Sequence, residues 1–387
     1  MTTASVAVIG GGVMGASVAY HLALRGWRDV LILDRSTGPG EGSTGRATGG
    51  FRAQYASAIN VRLSLLARDK LCGFAAETGV DPGYERRGYL WIGATAHEVA
   101  ELRAGQRVQH AEGLHEAATL GADDVLRLNP ALAPEAIAGG VFCPTDGFIR
   151  PLRILEGYFT AGARLGVRVA WDTPATGFAF NANGTISAVL TPRGPIAVAA
   201  VVNAAGPWAA GVAAWAHLEL PVTPLRRQAA ATVACDLLPE TMPMTIFAGD
   251  GFHLRVRDGR VLLLRPTPGV AGRPFDDSVD PAWVRDVTAT AHRRVPGLQK
   301  AAIDPAACWA GLYEMSPDKH AILGRAPGCD NLYLVNGSSG HGVMHAPALG
   351  QLLAEIMSDG AATSLDVTAL RPTRFAEGAP NPHSGLL

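Results

Sequence analysis

Val6-Ala7-Val8-Ile9-Gly10-Gly11-Gly12-Val13-Met14-Gly15 decides the fold. Val6 to Ile9 is a short β-branched run, the signature of a buried strand. Helical spacing follows from Ala16 to Arg25, and Gly26 suits the C-cap. Val30 to Leu33 is a second apolar run that ends at Asp34. The order is strand, helix, strand with short turns, the opening of a parallel sheet. Gly10, Gly12 and Gly15 fit Gly-x-Gly-x-x-Gly at the strand–helix junction. The first glycine permits the tight turn, the second lets the backbone approach a pyrophosphate, and the third lets helix and strand pack closely. The pyrophosphate then meets unpaired amides at the positive end of the helix dipole. Asp34 stands where a carboxylate would accept hydrogen bonds from a ribose diol. The motif alone does not separate NAD from FAD.

Further along, Ser36 to Gly50 is a loop rich in Gly, Ser and Thr. Ala58 to Thr78 and Pro151 to Leu165 read as helices. Tyr89 to Ile92, Val167 to Ala170, Val198 to Val202 and Asn331 to Val335 read as strands, and a last helical run lies around Pro347 to Met357. Between Pro221 and Pro305 the texture changes to short alternating runs, such as Phe252-His253-Leu254-Arg255-Val256-Arg257, separated by Asp-Gly turns. That pattern predicts an antiparallel sheet with one exposed face.

Bulk properties narrow the function classes. The chain has 387 residues, 48% of them hydrophobic, enough for two domains. A formal net charge of -1 supplies no field for nucleic acid. Lysine occurs only at Lys70, Lys300 and Lys319, so ammonium and Schiff-base chemistry have few carriers. The five cysteines are widely spaced and form no Cys-x-x-Cys, which argues against a disulfide framework or a cysteine metal site. No metal site is expected. The start lacks a signal-peptide pattern and no apolar run reaches membrane-spanning length, so the chain reads as soluble and cytoplasmic.

Four further segments carry a resemblance. Gly42-Ser43-Thr44-Gly45-Arg46, followed by Arg52-Ala53-Gln54-Tyr55, is similar to the flavin-approach loop of the sarcosine oxidase and proline dehydrogenase β-subunit branch. That branch belongs to the D-amino-acid oxidase clan of FAD-dependent amino-acid oxidases and dehydrogenases. Asn203-Ala204-Ala205-Gly206-Pro207-Trp208 resembles its middle FAD-contacting turn. Gly311-Leu312-Tyr313-Glu314-Met315-Ser316-Pro317-Asp318 resembles its segment beside the flavin ring, and Ser339-Gly340-His341-Gly342 its final flavin loop. The motifs stand in family order and span nearly the whole chain.

The resemblance implies an α/β plus α+β molecule. A Rossmann-like FAD-binding domain would comprise residues 1–82, 141–214 and 306–387. A discontinuous antiparallel-sheet substrate domain would comprise residues 83–140 and 215–305. The residues placed on FAD are Gly10, Gly12, Val13, Met14, Gly15, Asp34, Arg35, Ser43, Thr44, Arg46, Val169, Gly206, Gly311, Gly340, His341, Gly342, Val343 and Met344. Relatives that attach the flavin covalently use a cysteine where this chain has Gly311, or a histidine where it has Arg46, so non-covalent FAD is expected.

Arg52 falls at the family's carboxylate-binding arginine, with Tyr313 on the other side of the pocket. His341 takes a positional and electrostatic part at the flavin ring, and His253 is a candidate pocket residue. The lysine that monomeric sarcosine oxidase uses to help bind carboxylate is Met344 here. The lysine it uses toward oxygen falls near Leu262, which implies a dehydrogenase more than an oxidase. The implied reaction is hydride transfer from the carbon beside nitrogen to flavin N5, giving an imine. The substrate would be an N-methyl amino acid, proline or hydroxyproline, or an opine. The electron acceptor would be oxygen, a quinone or a partner protein, with partner subunits as in the related β-subunits. Three other readings stand beside it: a 2-hydroxy-acid dehydrogenase using His341 or His253 as base, a dependent flavin subunit, and an NAD-dependent dehydrogenase.

Overall fold

A computed structural model describes residues 2–267 and 273–382. Residue 1 and the stretches 268–272 and 383–387, parts of the ranges assigned above, lie outside the described residues.

The opening strand, Thr2–Ile9, sits centrally in an eight-stranded sheet. It pairs in parallel with Val30–Leu33 on one side and with Ile196–Asn203 on the other. Arg168–Ala170 and Leu332–Asn336 extend the parallel set outward. Ile322–Arg325 closes one edge in antiparallel fashion, and the hairpin Gly177–Phe180/Ile186–Leu190 folds off the path. A parallel strand between neighbours must be apolar on both faces, which is why Val30–Leu33 is buried at every position. Val6 and Val8 face a core shared with the helices Val13–Leu24, Ala58–Thr78, Pro151–Arg164 and Gly342–Asp359, while Ala7 and Ile9 face a smaller cluster beyond the sheet.

The second sheet also has eight strands, and it is mostly antiparallel. Its one parallel joint among these strands, Met244–Phe247 with Tyr89–Gly93, brings the two sequence blocks of the substrate side together. One of its strands, Gly139–Cys143, crosses the boundary expected at residue 140, and another, Trp309–Met315, lies in a range assigned to the other domain.

The expected exposed face is a correction. Leu254, Val256, Val261 and Leu263 point to a core closed by Trp283, Val287 and Ala291 of the helix Pro281–Arg294. The other face is also turned from bulk water. His253 and Arg255 alternate with the core residues because they line or flank an internal cavity. Polar alternation reports a polar neighbour as well as it reports solvent. Nor is His253 on an edge, since its strand is paired on both sides.

Candidate active site and cofactor cavity

One cavity of about 1380 Å³ runs from the glycine turn after the first strand to the floor of the second sheet. At its first end the turn is built by close packing. A Cβ on Gly15 would stand 1.9 Å from the Gly10 carbonyl oxygen, so only hydrogen fits between helix and strand. The Thr44 hydroxyl accepts from the Val13 amide at 3.0 Å and satisfies one amide of the helix start. Asp34 accepts from Gly11 N at 2.5 Å and Ser36 N at 2.7 Å, which fixes its carboxylate at the end of the second strand. Arg35 stacks 3.7 Å over Trp208, and Trp208 stacks in turn on Phe275. Trp171 reaches the same wall, its ring 3.0 Å from a Cβ on Gly11. Gly206 lines this end as well. Val169 does not: it packs against the core, and Trp171, two residues on, is the side chain that faces the cavity.

The middle of the cavity is held by the loop around Ser43–Arg46. Ser43 Oγ donates to the Leu312 carbonyl at 2.7 Å, and Trp309 Nε1 donates to the Arg46 carbonyl at 2.8 Å. Arg46 pairs with Asp277 at the rim. Gly311 lies against it, a Cβ there standing 3.0 Å from Arg46 Cβ. Cys308, three residues before Gly311, packs toward the far side of the sheet instead. No described cysteine lines the cavity.

At the far end, Ser338 to His341 turns into the helix Gly342–Asp359, with His341 at the N-cap. Gly340 has φ +93° and a Cβ there would stand 2.3 Å from the Tyr313 ring, so the turn needs glycine twice over. Gly342, Val343 and Met344 present the first turn of that helix to the cavity. Glu314 sits beside it, accepting from Ser338 N at 3.3 Å, while its Oε2 is enclosed with no partner among the described residues. Burial pushes the Glu314 carboxyl up to about 7.

Arg52 is buried. Its guanidinium lies 4.2 Å over Tyr55 and 5.1 Å from Trp91, and it donates to the Gln54 carbonyl at 3.2 Å. Its Nη2 is 3.3 Å from His341 Nε2; a guanidinium only donates, so that nitrogen accepts. The loop carrying Arg52 is pinned by Asp146, which accepts from Ala53 N at 2.8 Å and whose carboxyl burial raises to about 7. Tyr55 donates to Met344 Sδ at 3.3 Å.

The sheet floor adds one row of side chains. Ile246 is registered opposite His253, His253 opposite Leu264, and Leu264 opposite Ala229, and all four line the cavity. His253 Nδ1 is 2.8 Å from the Gly251 carbonyl, and burial holds its pKa down to about 4. Leu262 belongs with Ala229, Ala231 and Leu264 in a buried apolar cluster. Arg260 is paired with Asp304 and Arg265 with Asp286. Arg227, two residues before Ala229, also lines the cavity, 5.5 Å from the Tyr313 ring.

The expected residues thus converge on one space, Val169 and Gly15 aside; Gly15 packs behind the turn against Gly10. Trp171, Glu314 and Arg227 also line it. Trp171 follows the strand expected over Val167–Ala170, and nothing local marks it as facing the glycine turn. Glu314 lay inside a quoted motif. Arg227 stood in a strand whose register partners are 31 or more residues away, and no local pattern marks it.

An elongated cavity with a glycine turn, a helix start and a carboxylate at one end, aromatic rings flanking that end, and a second helix start at the other fits a dinucleotide cofactor. Comparison with known proteins agrees. The family model for FAD-dependent oxidoreductases of the DAO type matches residues 5–356. Glycine oxidase from Geobacillus kaustophilus is 28% identical over 382 residues, covering 95% of this chain and 96% of that protein. Mitochondrial dimethylglycine dehydrogenase from Rattus norvegicus is also 28% identical, but this chain spans only 45% of its length. The crystal structure of L-proline dehydrogenase from P. horikoshii superposes with a TM-score of 0.90 at 27% identity, covering 98% of this chain and all of that one. The chain belongs to the DAO family of FAD-dependent oxidoreductases.

Proposed function

We propose that this enzyme oxidises the carbon–nitrogen bond of a small amino acid, most fittingly one with a secondary or cyclic amine. The observation that carries the reading is Arg52, a buried guanidinium set at the cavity's far end beside the two glycine loops. A planar fork holds a carboxylate through two parallel hydrogen bonds. The relatives named above bear the names of amino-acid oxidases and dehydrogenases.

FAD, when bound, accepts the hydride. The chain's own residues do the rest. Arg52 and Tyr313 bracket the carboxylate, and His341 accepts from Arg52 Nη2 and so orients the fork. Leu264, Met244 and Ile246 keep water from the reacting carbon, and orientation and desolvation carry much of the rate. The helix start at Gly342–Met344 offers its amides to the negative charge that reduction brings. FAD is held without a covalent bond, since no described cysteine reaches the cavity and Arg46 and Gly311 replace the attaching residues. Acid precipitation should therefore release the flavin; flavin remaining with the pellet would contradict this.

The substrate-level test is product analysis with a dye acceptor. An acyclic secondary amino acid should yield one carbonyl compound and one amine per two electrons transferred, and a cyclic one a single imine that opens to an amino carbonyl compound. A panel in which only 2-hydroxy acids give product would overturn the reading. Electrons pass on to oxygen, a quinone or a partner protein, and partner subunits fit this arrangement. Among the described residues no helix is long and apolar enough to cross a membrane.

A further inference from the structure

We infer that the substrate carries two carboxylates, one on either side of a secondary amine, as in an N-(carboxyalkyl) amino acid. The inference rests on the amine-oxidising reading above and extends it from the reacting group to the whole substrate.

The residue that carries it is Arg227. Its guanidinium is at the cavity wall and donates through Nη1 to the carbonyls of Thr267, at 2.6 Å, and Arg226, at 3.4 Å. These bonds hold the fork without neutralising it. Among the described residues Arg227 forms no ion pair, whereas three cations of nearby strands and loops do. Arg46 pairs with Asp277, Arg226 with Asp276, and Arg265 with Asp286. Among the described residues none of the acids on the same walls is paired with Arg227. Asp34 holds two backbone amides, Glu41 accepts from Thr37, and Glu314 accepts from Ser338 N. A partly buried guanidinium facing a cavity with no carboxylate of its own is an unmet charge, and an anionic ligand is what meets it.

The position of that charge defines the ligand. Arg227 stands over Tyr313, and the Tyr313 ring closes on Gly340, the neighbour of His341, which contacts Arg52. The two guanidiniums therefore flank one compartment. His253 lies between them across the sheet, since its row runs on through Ile246 to Trp91, over which Arg52 lies. By strand spacing and rise, Arg227 is about 10 Å across the sheet from His253 and about 7 Å along it, within reach of a long side chain. The Gly251 carbonyl can only accept, so His253 Nδ1 carries the proton and Nε2 offers a lone pair. The order across the compartment is donor fork, acceptor nitrogen, donor fork. Its complement is carboxylate, amine N–H, carboxylate.

The chemistry balances. A hydride leaves the carbon between the nitrogen and one carboxylate, taking both electrons to FAD. The nitrogen lone pair forms the C=N bond of a protonated imine. Water adds to that carbon, the C–N bond breaks and a proton is released. The products are a 2-oxo acid and a primary amino acid.

The test uses the flavin-loaded enzyme with N-(1-carboxyethyl)alanine and N-ethylalanine, which differ by a single carboxylate. The expected result is a kcat/KM preference for the diacid of roughly 30-fold or more, the range set by a desolvated charge pair. Arg227→Leu should bring that ratio close to one, and Arg227→Lys should keep part of it. Thiodiacetate and methylthioacetate, which lack the oxidisable amine, give an independent readout through perturbation of flavin absorption. Arg227→Leu should weaken thiodiacetate far more than methylthioacetate. If the leucine variant does not accumulate as folded flavoprotein, the lysine variant carries the same comparison. Equal use of the two amines by the native enzyme, or a ratio unmoved by either substitution, would overturn the diacid inference while leaving amine oxidation standing. Failure of both amines to reduce the flavin, with hydroxy acids succeeding, would overturn the amine reading itself.

Discussion

Arg52 shows how much one residue asks of its surroundings. Its guanidinium lies between Tyr55 and Trp91, with His341 at its tip and the Asp146-pinned loop beneath. Packing fixes the fork before any ligand arrives, so ligand binding loses little side-chain freedom. Arg52→Ala should weaken amino-acid binding by about 2–5 kcal/mol with flavin content little changed. Titration of the flavin spectrum with a substrate analogue measures this, and unchanged affinity would place the carboxylate elsewhere. Glu314 gives a second prediction at this scale. Its folded pKa is raised above the usual 4.5 to about 7, as is that of Asp146 above 3.8. Folding therefore favours their neutral forms. That contribution is fully present below the ordinary carboxylate range and is lost as pH rises through about 7. Glu355 is shifted the other way, down to about 2, so its contribution changes only in more acidic solution. Buried His253, held down to about 4, acts in the opposite sense over the same pH window, as do His21 and His345, so the Glu314 share is read by difference. Glu314→Gln should raise the melting temperature of the flavin-free protein at about pH 7.5 relative to about pH 5, compared with the native chain; an unchanged pH dependence would mean that Glu314 does not supply this share.

At the scale of elements, the opening strand–turn–helix was legible because its signals are local: a β-branched run, glycines at fixed spacing, and an acid closing the next strand. Gly15→Ala should cost about 1–3 kcal/mol of stability by overpacking against the Gly10 carbonyl and should deplete bound FAD. Thermal melts and the flavin-to-protein absorbance ratio would report it, and full flavin content in a stable variant would contradict the close approach. The helix Ala58–Thr78 matches its expected span, since its apolar spacing and the following Gly79 are also local. The strand His253–Arg257 was found as a strand but assigned a solvent face, because alternation does not say what the polar side meets. The neighbouring strand Arg260–Leu264 bears on the electron acceptor. Leu262 is in an apolar cluster, and Arg260 and Arg265 are each tied to an aspartate. A fixed charge is worth about 100-fold or more toward a developing anion. Reduced enzyme should accordingly pass electrons to a dye or quinone much faster than to oxygen. Reoxidation in air as fast as turnover would contradict this and direct attention to Arg227 or His341.

At the scale of the molecule, the site exists only where the two sheets face each other. The glycine turn comes from one, Arg227 and His253 from the other, and Arg52 from the loop between. The sequence marked most of the residues that line the glycine-turn end of the cavity, since its motifs are contiguous and ordered along the chain. It supplied Arg52 and His341 through resemblance. It did not supply Arg227 or Trp171, whose roles depend on register between strands far apart in sequence, nor the placement of Glu314 beside a helix start. The central claim, hydride removal from the carbon beside a substrate nitrogen, is tested most directly by anaerobic single-turnover bleaching of the bound flavin. An amino acid protiated or deuterated at that carbon would be compared with the 2-hydroxy acid of the same skeleton. The account predicts that the amine bleaches the flavin, that deuteration slows the bleaching by a primary isotope effect, and that the hydroxy acid leaves the flavin oxidised. Bleaching by the hydroxy acid with none by the amine would contradict it.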